Sequence, residues 1–215
     1  MGVFITLEGP EGAGKTTVAQ HVAERLRAAG YPVILTREPG GTPVGDQVRQ
    51  VLLTHHNADM TPEAEILLFS ASRAQLVRQV IKPALERSTI VVCDRYADST
   101  LAYQGYGRGL NLNVLRHITD FATGGLRPDL TILLDVEPEV GLARRRRASE
   151  SGAEWNRLDN ETLNFFQRVR AGYLALAREE PSRWRIVDAS RPLEDVLEEV
   201  WRIVEVWLQD RLRQP

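Results

Sequence analysis

Residues 9–16 are the part of the sequence that most constrains how this chain can fold. They read Gly-Pro-Glu-Gly-Ala-Gly-Lys-Thr and match the spacing G-x-x-x-x-G-K-[ST]. An apolar run precedes them and a helix-forming run follows them, so the motif has a strand-loop-helix context. In such a loop the glycines let successive backbone N–H groups turn inward around a phosphate. A glycine-rich turn that matches by accident is the alternative, and the flanking elements argue against it.

The last residues of this loop and the helix after it could each contribute to binding a nucleoside triphosphate. Lys15 can reach the β- and γ-phosphates as a mobile point charge. Thr16 can offer its hydroxyl to Mg²⁺. The helix that begins there adds the positive end of its dipole to the same anion site. The residues that we expect at the phosphates are Gly9, Pro10, Glu11, Gly12, Ala13, Gly14, Lys15, Thr16 and Thr17.

Composition places the chain among ordinary α/β domains and excludes several classes. With 215 residues, 43% of them hydrophobic, it can bury a substantial core. A net charge of −2 gives no sign of attraction to nucleic acid or to a membrane surface. Cys93 is the one cysteine, which excludes a disulfide framework. There is no signal peptide pattern and no apolar run near membrane-spanning length, so we expect a cytoplasmic protein.

Short apolar runs alternate with helical patterns along the chain. The strand-like runs cover residues 3–8, 33–36, 89–93, 130–135 and 185–187, and the helical patterns cover residues 15–29, 44–53, 62–87, 112–122, 138–147, 160–179 and 193–211. This alternation predicts a parallel sheet with helices on both faces, in a single domain over residues 1–215. Right-handed crossovers then place the carboxyl ends of the strands, and the ligands, along one edge.

Asp94 and Arg95 end one of the apolar runs. A carboxylate at the end of a strand, near a phosphate loop, is well placed to associate with Mg²⁺. The Arg95 guanidinium could hold a phosphoryl oxygen by two hydrogen bonds. A local ion pair is the alternative, and the presence of the phosphate loop favours the functional interpretation.

Two further segments place charged or aromatic groups where a second ligand could bind. Arg37 and Glu38 precede the turn Pro39-Gly40-Gly41, so both are expected at the sheet edge. Phe69 and Arg73 are four residues apart and share one helix face, where they could stack a base and hold its phosphate. The alternatives are a turn with incidental charges and a phenylalanine of the core.

The polar segment after Arg95 could read a base and a sugar. Its hydroxyl and amide groups are those of Ser99, Thr100, Tyr103 and Gln104. An exposed helix start capped by Asp98 or Ser99 is the alternative.

The run 144–147 is the densest positive charge of the chain, with four consecutive arginines. On a helix these residues fan through about 300°, so they cannot all reach one ligand. Arg157 lies beyond the loop-like stretch 148–155 and could reach in when that loop closes. A nucleic-acid patch is a poor alternative because the surrounding charge is balanced.

These features together favour phosphoryl transfer between nucleotides. Guanine-specific GTPases use Asn-Lys-x-Asp, and neither Lys15 nor Lys82 follows an asparagine. Donor and acceptor nucleotides are both polyanions, so arginine, lysine and Mg²⁺ must offset their repulsion before the oxygens approach. A closing lid excludes water from the reaction.

Several of these stretches resemble bacterial thymidylate kinases. The resemblance rests on residues 4–17, 36–41, 94–96, 102–105, 157, 164–170 and 173. It implies a P-loop nucleotide kinase fold, α/β, with a five-stranded parallel sheet flanked by helices and a mobile lid near residues 144–158. It also implies a homodimer that uses ATP and Mg²⁺ to phosphorylate dTMP to dTDP.

The resemblance also implies roles for individual residues. The expected dTMP-binding residues are Glu11, Arg37, Glu38, Pro39, Phe69, Arg73, Arg95, Ser99, Thr100, Tyr103 and Gln104, and the expected ligands of Mg²⁺ are Thr16 and Asp94. Phe69 would stack on thymine, Thr100 and Gln104 would meet the base edge, and Tyr103 would crowd the 2′ position. The Glu38–Pro39 peptide is a candidate for the cis form.

The position of the catalytic arginine separates two types of this family. The phosphate loop has no arginine here, so the resemblance implies the lid-arginine type, with Lys15, Arg95 and Arg157 as catalytic residues. We place Arg144 at ATP and leave open which other arginine of the run 144–147 contacts it. The lid reads Asn-Arg-Leu-Asp over residues 156–159, where the family usually has Asp-Arg-x-Glu. Another nucleotide or nucleoside kinase, or a non-catalytic nucleotide-binding module, remains the competing interpretation.

Overall fold

Five parallel strands form one sheet in the order β2-β3-β1-β4-β5. The strands are β1 (Val3–Glu8), β2 (Val33–Arg37), β3 (Ile90–Asp94), β4 (Leu130–Asp135) and β5 (Trp184–Asp188). The structure is a computed structural model that describes residues 2–213. Met1, Gln214 and Pro215 lie outside the described residues. The five-stranded parallel sheet is therefore confirmed, and the single domain over residues 1–215 stays a prediction.

Helices cover both faces of this sheet. They are α1 (Lys15–Ala28), α2 (Pro43–Leu53), α3 (Pro62–Leu76), α4 (Lys82–Glu86), α5 (Ala97–Thr100), α6 (Leu112–Thr123), α7 (Pro138–Glu150), α8 (Leu163–Glu179) and α9 (Leu193–Arg213). A π-helical turn, Val77–Ile81, joins α3 to α4, and a π-helical segment, Leu101–Gly107, continues α5. Short 3-10 turns occupy His55–Asn57 and Arg157–Asn160. Over residues 2–213, no helix combines the length and apolarity needed to cross a bilayer.

Alternate residues of the central strands point to opposite faces of the sheet. Ile5 and Val92 face a core that includes α1 and α9. Phe4 and Val91 face the other side of the sheet, where they pack in a core with residues of α3 and α4. Because a strand buried on both faces has no polar side, these strands read as continuous apolar runs in the sequence.

The helical segment from α5 to Gly107 is not among the predicted helices, although a helix start at Asp98 or Ser99 was the alternative for this stretch. Its serine, threonine and glycine residues have weak helix propensity and read as a polar loop. Tertiary packing overrides that propensity, because Leu101, Ala102 and Tyr103 are buried in a core shared with Phe165 and Phe166 of α8.

The boundaries of α7 and α8 also differ from the predicted ones. The predicted helix 138–147 continues to Glu150, three residues into the loop-like stretch. The predicted helix 160–179 begins at Leu163, because the Thr162 hydroxyl caps it by accepting from the Phe165 N–H. Residues before the cap form a separate 3-10 turn, closed by a reciprocal cap between Asn156 and Asp159.

The backbone of the phosphate loop packs directly against the backbone of α7, with no side chain between them. A Cβ on Gly12 would lie 2.0 Å from the Gly141 carbonyl oxygen, and a Cβ on Gly141 would lie 2.2 Å from the Glu11 carbonyl oxygen. Glycine at both positions therefore lets the helix that leads into the predicted lid pack directly on the loop. Gly14, with φ of 87°, ends the loop immediately before α1.

Candidate active site

One cavity of about 580 Å³ opens at the carboxyl edge of the sheet, where β1, β2 and β3 end. Most of the residues singled out from the sequence line it. They are Glu11, Gly12, Gly14, Lys15, Thr16, Thr17, Arg37, Glu38, Pro39, Phe69, Arg73, Asp94, Arg95, Ser99, Thr100, Tyr103 and Gln104. The parallel topology brings them together because every strand delivers its last residue to the same edge. Of the other predicted residues, Gly9, Pro10, Ala13, Arg144 and Arg157 are not among those that line this cavity.

Lys15 is held beneath the phosphate loop. Its ammonium donates to the Pro10 carbonyl oxygen at 2.7 Å, and its side chain is buried. Burial and the positive charge of Arg95 lower the pKa of Lys15 to about 8, although Glu11 and Asp94 oppose this change. A phosphate bound in the loop would add negative charge here and favour the protonated ammonium.

Thr16 and Asp94 present oxygen ligands at one point of the cavity. The Thr16 hydroxyl donates to Asp94 Oδ2 at 2.5 Å. Among the described residues, there is no group of three or more His, Cys, Asp and Glu side chains that could hold a metal ion by themselves. A hydroxyl and a carboxylate beside a phosphate loop fit Mg²⁺, which binds to few protein ligands and completes its shell with phosphate oxygens and water.

Arg95 links the phosphate loop to the helices behind it. Its Nη1 donates to the Gly9 carbonyl oxygen at 3.0 Å and to the Tyr173 hydroxyl at 3.1 Å. Its Nη2 donates to Glu11 Oε1 and to the Tyr103 hydroxyl, both at 3.0 Å. The backbone of Arg95 has φ of 68°, a left-handed conformation that is uncommon outside glycine.

The carboxylate of Glu11 is held by Arg95 and Tyr103. Tyr103 donates its hydroxyl to the second carboxylate oxygen of Glu11. Burial favours a raised pKa for Glu11, but Arg95, Lys15 and Tyr103 outweigh it and lower the pKa below its ordinary value. The carboxylate is therefore ionised at neutral pH and available as a hydrogen-bond acceptor at the mouth of the cavity.

Arg73 and Glu38 form a buried ion pair in the deeper part of the cavity. Arg73 Nε donates to Glu38 Oε2 at 2.8 Å, and the arginine side chain is only 1% exposed. Its two terminal nitrogens donate to the Thr100 hydroxyl at 3.0 Å and to the Tyr96 carbonyl oxygen at 3.2 Å. The Glu38–Pro39 peptide is cis, as anticipated. Because removal of one partner from a buried pair costs about 3–5 kcal/mol, this pair fixes the turn after β2.

An apolar wall faces this ion pair. Phe69 lies half-buried on α3 and packs with Leu53 and Leu158. All three side chains line the cavity. A flat apolar ring with polar groups around its edge could stack between these residues. A phenylalanine with a purely structural role would not need to line the cavity.

Arg144 and Arg145, neighbours in the predicted lid, point to different places. Arg145 lines the cavity and pairs with both oxygens of Asp159, at 3.0 and 2.8 Å. Arg144 donates to the carbonyl oxygens of Ala189 and Ser190, at 2.6 and 3.0 Å. Consecutive helix positions differ by about 100°, so the direction of each guanidinium depends on the rotation of α7.

Arg157 is buried outside the cavity. It donates to the Leu52 carbonyl oxygen at 3.0 Å and to the carboxylate of Glu65. These acceptors satisfy its guanidinium, and the structure does not bring it to the phosphate loop. The catalytic role of Arg157 therefore stays a prediction, and Arg145 is the arginine of the predicted lid that lines the cavity.

Sequence reasoning assigned no role to Glu8, whose buried carboxylate connects several residues beneath the cavity. Glu8 is fully buried at the end of β1 and accepts from the Tyr96 N–H at 2.7 Å. It also accepts from the hydroxyls of Ser99 and Tyr173, at 2.6 and 2.9 Å. An acidic residue at the end of an otherwise apolar central strand was the signal that could have identified it.

Comparison with known proteins gives one consistent result. The thymidylate kinase family model matches residues 7–200. A thymidylate kinase from Thermomicrobium roseum is 56% identical, with 100% of each chain covered. One from Roseiflexus castenholzii is 53% identical over 97% of this chain and 95% of that protein. A crystal structure of thymidylate kinase from Ehrlichia chaffeensis superimposes with a TM-score of 0.75 at 33% identity, over 94% of this chain and 98% of that chain.

The carboxyl group of Glu8 makes stability depend on pH. Burial and the negative charge of Asp98 raise its pKa from 4.5 to about 7. The stability that this protonation contributes is present below the ordinary pKa and is lost as the pH rises through about 7. Relative to Glu8→Gln, we expect the free energy of unfolding of the wild type to fall by about 3 kcal/mol between about pH 4 and 8.

Urea unfolding of both proteins across this pH range measures the effect. Glu63→Gln, which makes the same substitution at an exposed position of α3, is the matched control. A pH-independent difference between wild type and Glu8→Gln would contradict the assignment.

Proposed function

This chain belongs to the thymidylate kinase family, and we propose that its cavity holds ATP at the phosphate loop and dTMP beside Phe69 and Arg73. The reaction transfers the γ-phosphoryl group of ATP to dTMP and gives ADP and dTDP, a step in dTTP synthesis. One observation carries the placement of both nucleotides. Lys15 and Arg95 meet at the phosphate loop, and the same cavity continues to the apolar wall of Phe69.

The donor half of the site consists of the loop and the start of α1. Backbone N–H groups of residues 11–17 surround the phosphates, and Lys15 supplies a positive charge at the transferred group. Thr16 and Asp94 would hold Mg²⁺, which neutralises part of the phosphate charge when bound. Arg144 lies outside the cavity on the carbonyl groups that follow β5, and we keep it as a candidate contact to ATP.

The acceptor half places the thymine ring against Phe69 and its phosphate near Arg95. Arg37 at the cavity rim adds a second positive charge to the acceptor phosphate. Glu11 accepts from the sugar hydroxyl, and Tyr103, which hydrogen-bonds Glu11, fills the space beside the sugar. The arginines offset the repulsion between two polyanions, so the reacting oxygens can approach to near-attack distance.

We infer that residues 144–158 form the lid. The segment comprises the last turns of α7, an exposed loop and the first residues of the 3-10 turn. Arg145, held by Asp159, is the charged residue of this segment that lines the cavity. It is therefore positioned to stabilise the charge of the transferring phosphoryl group, while Arg157 fastens the lid to Glu65.

We also propose a homodimer formed through α2, α3 and α6. α3 packs against both of the other helices. These three helices expose large apolar side chains, namely Val44, Val51, Leu67, Val114 and Phe121. Phe121 is 91% exposed, which is unfavourable in water unless a partner covers it. A second copy of the chain is the occupant that the family resemblance implies, and we expect the dimer in the cytoplasm with its nucleotide substrates.

A panel of acceptors tests the function. With ATP and Mg²⁺, release of ADP is expected to be fastest with dTMP among dTMP, dUMP, dCMP, dGMP and thymidine. Lys15→Ala is expected to lower kcat by about 10²–10³-fold, because one charge at the transferred phosphoryl group is lost. Preference for another acceptor would reject the dTMP assignment, and ATP binding without any acceptor-dependent turnover would reject the kinase.

The two lid arginines can be distinguished by matched substitutions. Arg145→Lys is expected to lower kcat by about 10²-fold with little change in KM for dTMP, because lysine cannot reproduce a bidentate arginine contact. Arg157→Lys is expected to change KM more than kcat, since it weakens the attachment of the lid. Steady-state kinetics with both substrates measure the difference. The reverse pattern would restore Arg157 as the catalytic arginine.

The dimer surface can be tested by introducing charge. Leu67→Arg and Phe121→Arg are expected to raise the dimer dissociation constant at least about tenfold, because a buried unpaired charge opposes association. Val206→Arg on α9, an apolar position outside the three helices whose 51% exposure is close to the 59% of Leu67, is the control. Analytical ultracentrifugation measures the mass. A monomeric wild-type protein, or a dimer that resists both substitutions, would contradict this interface.

A further inference from the structure

The side-chain amide of Gln104 is held in one orientation by a hydrogen bond to Glu65. Gln104 lines the cavity, yet it is only 2% exposed. Its Nε2 donates to Glu65 Oε1 at 2.8 Å. Its amide oxygen accepts no hydrogen bond from any of residues 2–211, whose side chains the structure describes. The amide therefore has one satisfied end and one end free for a ligand.

Glu65 is a carboxylate with several donors around it. It is 1% exposed and accepts from Gln104, from Arg108 at 3.0 and 3.1 Å, and from Arg157. Burial favours a raised pKa for Glu65, but the hydrogen bonds from Arg108, Arg157 and Gln104 outweigh it and lower the pKa. The carboxylate stays ionised and can only accept hydrogen bonds.

An acceptor-only partner decides which way the amide points. If the amide rotated by 180°, its oxygen would face a carboxylate oxygen at hydrogen-bond distance. Two acceptors would then oppose each other in a buried site, and the amide N–H groups would lose their partner. The Gln104 oxygen consequently stays on the cavity side.

Arg73 complements this acceptor with donors. It is likewise a cavity residue, and it donates to Glu38, Thr100 and Tyr96 without using all five of its N–H groups. The base-facing wall thus combines an acceptor oxygen with a guanidinium. A thymine ring presents an N3–H donor beside keto oxygens, whereas cytosine presents an unprotonated N3 beside an amino group.

We propose that Glu65 is a specificity-determining positioning residue, which holds Gln104 so that its amide oxygen meets the N3–H of a keto pyrimidine and rejects cytosine. This inference rests on the proposed function, because it requires the base to lie beside Phe69 and Gln104. Glu65 itself acts through Gln104 and does not touch the nucleotide. The competing explanation is that Glu65 serves only to anchor Arg108 and Arg157.

Glu65→Gln separates the two explanations. A neutral amide at position 65 can donate as well as accept, so Gln104 is released to rotate and offer N–H groups to the base. We expect the ratio of kcat/KM for dTMP to that for dCMP to fall at least about tenfold. The ratio for dTMP to dUMP is expected to stay unchanged, because uracil has the same N3–H and keto groups as thymine.

Glu161→Gln is the matched control. Glu161 pairs with Arg108 at 2.7 Å, so this substitution removes a carboxylate from the same network without touching Gln104. Its dTMP to dCMP ratio is expected to equal that of the wild type. If Glu65→Gln lowers activity with all three nucleotides equally, Glu65 is an anchor and the proposal is overturned. A wild-type enzyme that does not prefer dTMP would instead reject the proposed function.

A measurement on the wild type covers the case in which Glu65→Gln fails to fold. In protein labelled with ¹⁵N at glutamine side chains, a Gln104 amide proton is expected to exchange slowly with solvent before any nucleotide is added. Rapid exchange of both amide protons in the free enzyme, with protection only after dTMP binds, would overturn the proposal.

Discussion

The guanidinium of Arg95 is the interaction on which the rest of the site depends. It joins the phosphate loop, through Gly9 and Glu11, to the α8 side of the core, through Tyr173. A side chain that satisfies acceptors on two separate elements fixes their relative position as well as its own charge. The left-handed backbone at Arg95 is tolerated because the buried Glu8 carboxylate accepts from the next N–H along the chain.

Three buried carboxylates hold side chains of this cavity in place. Glu8 supports Ser99 and Tyr173 beneath Arg95, Glu38 holds Arg73, and Glu65 holds Gln104. Each carboxylate removes rotational freedom from a side chain that lines the cavity or supports one that does. A phosphoryl-transfer enzyme gains from such preorganisation, because charges already in place need not reorganise when the transition state forms. The proposed lid would add Arg145, which lines the cavity, to this arrangement, and the Arg157–Glu65 ion pair would hold it in place.

The sheet and the phosphate loop could be predicted because local signals and tertiary packing agree there. β1 and β4 have the predicted bounds, since a central strand buried on both faces is mostly apolar. The helical segment at Tyr103 could not be predicted, because burial against α8 overrides its weak propensity. Of the candidate site, the cavity contains most of the predicted residues, while Glu65 gave no local signal because a single buried glutamate resembles a surface one in sequence.

The sequence by itself determined the fold class, the family and the position of the glycine-rich loop, since each follows from spacing along the chain. Tertiary structure alone decided where the charges point. Arg144, Arg145 and Arg157 are equivalent cations in the sequence, yet the rotation of α7 and the acceptors at Asp159, Ala189 and Glu65 send them to three different places. A guanidinium adopts the direction of the acceptors that satisfy it, and those acceptors come from distant parts of the chain.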